Sequence, residues 1–136
     1  MVFLTRRLHF NAAHRVYNPT WSDEQNEKVF GMCANKNWHG HNYELEITVY
    51  GRPNTDTGFV MDLNDLKRIV REAVIYKLDH KNLNLDVEFM KGIIPTTENL
   101  VIAMWKELHP KLLPVQLYSL KLYETPRNFV EYRGDK

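Results

Sequence analysis

The chain has 136 residues, enough to bury one core and too few to divide into two, so one domain spanning 1–136 is the expectation. Apolar residues make up 43% and charged residues 26%, with 18 Lys plus Arg against 17 Asp plus Glu, a balance that excludes a field strong enough to select nucleic acid. No apolar run approaches the roughly 18 residues of a membrane span, MVFLTRRLHF lacks the order of a signal peptide, and a single cysteine excludes an internal disulfide; a cytoplasmic protein is expected.

From Val2 to Val16 the residues alternate, with Leu4, Leu8, Phe10, Ala12 and His14 on one parity and Thr5, Arg7, His9 and Asn11 on the other, which predicts a long first strand. NPTWSDEQNEKVFG follows as a polar insertion, with a turn at Asn18-Pro19 and Ser22 placed to cap a short helix toward Phe30. His41 to Tyr50 alternates cleanly: Tyr43, Leu45, Ile47 and Val49 on one face, Glu44, Glu46 and Thr48 on the other. After a turn-rich segment, Asp62 is a helix N-cap, and Leu63, Leu66, Ile69, Val70, Ala73 and Val74 recur at helical spacing to about Leu78. A second helix starts after Thr96 or Thr97, carries Leu100, Val101, Met104, Trp105 and Leu108, and ends near Pro110. Two strands close the chain: LYSLKLYE, with Tyr118, Leu120, Leu122 and Glu124 on one face, and NFVEYRG after Thr125-Pro126.

The expected order is therefore β-β-α-α-β-β, an α+β fold with a four-stranded antiparallel sheet and two helices on one face. Such a sheet has two apolar open edges, which predicts an oligomer whose sheets join across subunits.

Strand parity also bears on chemistry. His39 and His41 in HGH stand at i and i+2 and so project together, on the face of Leu45 and Ile47, while His14 lies on the apolar parity of the first strand. Three neutral imidazoles with a fourth position open is the donor set of a catalytic Zn²⁺; an incidental HxH pair is the blander alternative. Cys33 has three readings: an inert buried thiol, a fourth ligand closing the site, or a base beside it, since five residues, Ala34 to Trp38, separate it from His39. Asp79-His80 after the first helix can form a proton relay or a simple turn. Glu124, at the end of an apolar strand face, can receive two N–H donors of a cyclic guanidine-like ring or stand exposed before Pro126. Thr96 and Thr97 are caps whose neighbouring N–H groups can also hold a polar ligand edge.

FNAAHRV, FGMCANKNWHGHNYELEITVYG, GFVMDLNDLK, LDHKNLNLD, PTTENL and LKLYET, in this order over nearly the whole chain, resemble the 6-pyruvoyl tetrahydropterin synthase family. The resemblance implies a tunnelling (T-fold) subunit, three of which join sheets into a twelve-stranded barrel and two such trimers into a hexamer. It implies Zn²⁺ on His14, His39 and His41, proton transfer by Cys33, Asp79 and His80, and a pterin held by Glu124 with Thr96 and Thr97 nearby. The reaction it implies converts 7,8-dihydroneopterin triphosphate to 6-pyruvoyltetrahydropterin by eliminating triphosphate and tautomerising the side chain, without a redox cofactor. Arg15 and Lys36 are candidate contacts for the triphosphate, outside any matched motif.

Two related activities compete. A sister branch forming 6-carboxytetrahydropterin has a three-residue Cys-to-HGH interval, whereas the five residues here are those of pyruvoyl enzymes; a folate-linked variant carries Glu at or beside the cysteine, absent from GMCAN. Trp38 departs from the small residue frequent at this place in pyruvoyl enzymes and leaves substrate preference open. A non-catalytic pterin-binding or structural zinc protein is the third reading, and it requires Cys33 on the metal.

Overall fold

A computed structural model describes residues 1–135. Strands β1 (Val2–His14) and β2 (His39–Gly51) pair antiparallel over their whole length, from Val2 opposite Gly51 to His14 opposite His39. Alternation dictates their two faces: Leu8, Phe10 and Ala12 of β1 and Tyr43, Leu45, Ile47 and Val49 of β2 are buried, while Thr5, Arg7 and Glu46 stand on the opposite face and bond across the strands. Phe10 and Tyr43 stack with ring centroids 4.9 Å apart, directly opposite one another in register.

The short helix α1 (Asp23–Phe30) is capped as expected, Ser22 Oγ accepting from the Gln25 N–H at 3.1 Å, and runs into a tight 3₁₀ turn, Gly31–Ala34. Helix α2 (Leu63–Val70) begins at Asp62, whose carboxylate accepts from the Asn64 N–H at 2.7 Å. It continues through a π-helical turn, Arg71–Ile75, to Tyr76–Leu78, so the expected helix to Leu78 is present with one widened turn. Helix α3 (Thr97–Leu112) is capped by Thr96, which accepts from the Asn99 N–H at 3.1 Å, and passes beyond Pro110 by two residues. Leu66, Val70, Val74 and Leu78 from the first of these stretches and Leu100, Met104 and Leu108 from α3 close the core over one sheet face. At about 25 cal/mol per Å² of apolar surface removed from water, this face supplies the main driving force for folding.

The sheet differs from the expected four antiparallel strands. Residues Lys81–Asn82 form β3, parallel to β1 with Ala12 opposite Lys81 and Ala13 opposite Asn82; with β4 (Gln116–Tyr123) and β5 (Phe129–Tyr132) the strand order is β3-β1-β2-β4-β5. The fold is thus α+β with a mixed five-stranded sheet and three helices, in place of β-β-α-α-β-β. A two-residue strand has no alternation to read; His80 N–H to Asn11 O at 2.6 Å and Leu83 N–H to Ala13 O at 2.8 Å create it. Strand ends shift as well: β1 stops at His14 rather than Val16, and β2 starts at His39 rather than His41.

A β-bulge corrects one face assignment. The β2–β4 register steps between Thr48–Ser119 and Val49–Leu117, leaving Tyr118 as the extra residue. Leu117 therefore enters the core, and Tyr118 leaves it for the open face, 4.7 Å from Phe3 and 5.8 Å from Tyr50 between ring centroids.

Candidate active site

The β1–β2 register assembles the histidines. His14 lies opposite His39, and His41 follows two residues on, so all three rings project from the core face at the same end of the sheet. One nitrogen from each lies within 4.8 Å of the others. His14, 1% exposed, gives its Nδ1 to the carbonyl oxygen of Pro95 at 2.9 Å, which fixes the ring and leaves Nε2 with the lone pair. His14 Nε2, His39 Nδ1 and His41 Nε2 are buried without a hydrogen-bond partner. Orphaned buried nitrogens are costly, and three of them converging fit a cation with an affinity for imidazole. Burial pulls the His14 pKa below the ordinary histidine value, the Pro95 carbonyl opposing and the two other rings reinforcing; burial and then His41 do the same for His39. Both effects keep the lone pairs free for a metal.

Glu124 follows β4 and reaches the same end of the core with its side chain 26% exposed. The buried Thr97 donates its hydroxyl to Oε2 in a short hydrogen bond, and Oε1 lies 3.4 Å from His41 Nε2 without the alignment of a hydrogen bond. Glu124 is therefore a half-buried carboxylate just past the strand end with a fixed orientation, rather than a fully exposed turn residue before Pro126. Thr96 is the cap of α3, and its neighbour Thr97 is the Glu124 partner. Tyr43 completes the wall: its hydroxyl is 3.5 Å from His14 Nδ1, and burial, then the charge of Glu124 and Cys33, push its pKa up so that it stays protonated.

Cys33 lies exposed on the 3₁₀ turn, and its carbonyl accepts the Val16 N–H at 2.8 Å. Among the described residues its thiol is not part of the histidine cluster. Asp79 and His80 pair through His80 Nδ1 and Asp79 Oδ1 at 3.1 Å, and the same Asp79 oxygen accepts the Asn11 N–H at 2.9 Å. That backbone donor, opposed by burial and aided by His80, holds the Asp79 carboxyl below the usual range. His80 adopts a left-handed backbone, φ 61°, and lines a cavity of about 490 Å³ with Asn11, Gly40, His41, Asn42 and Lys81.

Both candidate triphosphate contacts, Arg15 and Lys36, have partners within the chain. Lys36 pairs with Asp23 at 2.8 Å; Arg15 donates its Nε to Ala34 O at 2.8 Å and lies 3.7 Å over the Tyr17 ring, in a cavity of about 580 Å³ shared with the carboxylates of Asp23 and Glu27. Trp38 is half-buried with φ 66°, an uncommon backbone for a bulky residue, directly before His39. Sequence reasoning missed the Pro95 carbonyl, which carries no side-chain signal, and the site role of Tyr43, which was legible as the next member of the His39, His41 parity.

The family model for 6-pyruvoyl tetrahydropterin synthase matches residues 3–135. The 6-pyruvoyl tetrahydrobiopterin synthase of Homo sapiens is 47% identical over 133 residues, 97% of this chain and 91% of that protein, and the enzyme of that name from Dictyostelium discoideum is 48% identical over 98% of this chain and 97% of its own. The solved structure of Caenorhabditis elegans 6-pyruvoyl tetrahydropterin synthase superposes with a TM-score of 0.93 at 38% identity, covering 98% of this chain and 96% of that one.

Proposed function

We infer that this chain, which belongs to the 6-pyruvoyl tetrahydropterin synthase family, is a triphosphate-eliminating lyase that converts 7,8-dihydroneopterin triphosphate to 6-pyruvoyltetrahydropterin. The observation that carries the reading onto this molecule is the convergence of three orphaned imidazole nitrogens beside the Thr97-fixed carboxylate of Glu124. The whole chain is read as one such domain, acting in the cytoplasm.

His14, His39 and His41 would hold the metal, taken to be Zn²⁺ from the all-imidazole donor set, and the chemistry it would supply is Lewis-acid stabilisation of negative charge developing on the substrate side chain. Glu124 receives the N–H pair of the pterin ring, its carboxylate held in place by Thr97, with Thr96 at the same helix start. Cys33, exposed and outside the imidazole cluster, removes the side-chain proton as a thiolate. His80, oriented by Asp79, returns protons elsewhere on the side chain. Of the four hydrogens lost from the two side-chain carbinols, two reappear on the pterin ring, one on the terminal methyl and one as the proton that accompanies the departing triphosphate, so elimination and tautomerisation balance without an external redox partner.

The working form is proposed to be a homo-oligomer, three subunits joining their longer strands into a barrel and two trimers forming a hexamer. The outer edge of β1, the one away from β2, supports this, because on that edge β3 covers Ala12 and Ala13 alone and Val2 to Phe10 meets no strand among the described residues.

Incubation with 7,8-dihydroneopterin triphosphate and chromatographic identification of what accumulates tests the reading. Accumulation of 6-pyruvoyltetrahydropterin is expected; 6-carboxytetrahydropterin, or an unconsumed substrate, would refute it.

A further inference from the structure

β1 ends where the metal ligand sits. His14 faces His39, the first residue of β2, so the next two residues have no strand across from them. Four hydrogen bonds to other segments hold them instead. Val16 N–H donates to Cys33 O at 2.8 Å, and the Arg15 side chain donates to Ala34 O at 2.8 Å, both on the turn that carries the thiol. On the other side, the Arg15 N–H donates to Asn84 Oδ1 at 2.9 Å, and Asn84 Nδ2 donates back to Arg15 O at 2.9 Å.

The half-buried Asn84 amide thus supplies the donor and the acceptor that a neighbouring strand backbone would supply, and this complementarity fixes which way the amide points. Asn84 is itself anchored. Its N–H donates to Asn82 Oδ1 at 2.9 Å, and the Asn82 N–H donates to Asp86 Oδ2 at 3.0 Å. Leu83 and His80 bond Ala13 and Asn11 of β1 through their N–H groups, and Asp79 accepts from the Asn11 N–H. The segment 79–86 is laced along β1, and Asn84 makes its final fastening, on the residue after His14.

We propose that Asn84 is a positioning residue: its amide clamps Arg15 and so holds the Asp79–His80 pair in register with the His14 end of β1, from which the Cys33 turn also hangs. It touches no reacting atom. Its effect passes through backbone placement, since small displacements of catalytic groups cost large factors in rate. This rests on the pterin-synthase reading for its kinetic half and on geometry alone for its structural half.

The test compares Asn84→Ala, which removes both bonds, with Asn84→Asp, which keeps the acceptor for the Arg15 N–H and loses the donor. Steady-state rates are measured on zinc-loaded protein well below the melting temperature, with amide hydrogen exchange followed by mass spectrometry. For Asn84→Ala the expectation is a kcat lower by about 10- to 100-fold with KM within about threefold, and faster exchange across 79–86 than in β4. Asn84→Asp should lie between it and the unaltered chain, and it decides the matter if Asn84→Ala fails to fold. Unchanged kcat in folded variants overturns the positioning role even if exchange quickens. An unaltered chain without turnover defeats the pterin-synthase reading instead, and unchanged exchange across 79–86 would then overturn the clamp independently.

Discussion

Loading the histidine cluster with Zn²⁺ should raise the melting temperature steeply. In the metal-free protein three buried ring nitrogens lack partners, and the cation satisfies them in the native state only. A ligand present at about 1,000 times its dissociation constant stabilises the native state by about 4.1 kcal/mol. Unfolding entropy of about 2.1 cal/mol/K per residue, over 136 residues, comes to about 0.29 kcal/mol/K, so the shift works out at about 14 °C. The assay is differential scanning fluorimetry of chelator-treated protein with and without added Zn²⁺. His39→Ala should reduce the shift to about 3 °C or less, because it removes one of three donors. Cys33→Ala should keep the full shift while losing most turnover, since the thiol lies outside the cluster. Coincident melting of apo and loaded protein would refute the metal site, and loss of the shift in Cys33→Ala would make Cys33 a ligand.

Burial and the neighbouring imidazoles hold His14 and His39 below the ordinary histidine pKa, so the metal-free native state binds fewer protons than the unfolded chain; stability is full above the unfolded value of about 6.5 and declines as pH falls below it. The melting temperature of the apoprotein should therefore drop between about pH 7.5 and pH 5.5, and His14→Gln should flatten that profile; a wild-type profile that is flat or rises on acidification would contradict the burial argument. Glu124→Gln should weaken binding of a pterin analogue by about 10- to 100-fold, the worth of about 1.5–3 kcal/mol for hydrogen bonds to a charged group, with Zn²⁺ binding intact. Thr97→Val should give a smaller loss of pterin-analogue affinity, both variants being followed by fluorescence titration, because the carboxylate survives without its Oε2 donor; an effect larger than that of Glu124→Gln would point to a direct role for the hydroxyl.

The clearest sequence signals were those with a period. Alternation through β1 and β2 located both long strands and placed His14, His39 and His41 on one face, and helical spacing located α2 and α3 with their Asp62 and Thr96 caps. Backbone features without a period or a cap residue left no signal. β3 is two residues long and exists through bonds to Asn11 and Ala13, and the bulge at Tyr118 is a mismatch between strands that neither strand encodes alone.

Sequence alone determined the chemical inventory of this protein: an imidazole triad by parity, a thiol separated from it by five residues, an Asp-His pair, and a strand-end carboxylate. Only the tertiary structure decided how that inventory is wired. It showed that Pro95 orients His14, that Thr97 fixes Glu124, and that Asn84 ties Arg15 to the His80 segment. The physical reason is that side-chain direction along a regular element is a local property set by backbone dihedrals, whereas a hydrogen bond between residues 69 or 81 positions apart depends on how separate elements pack.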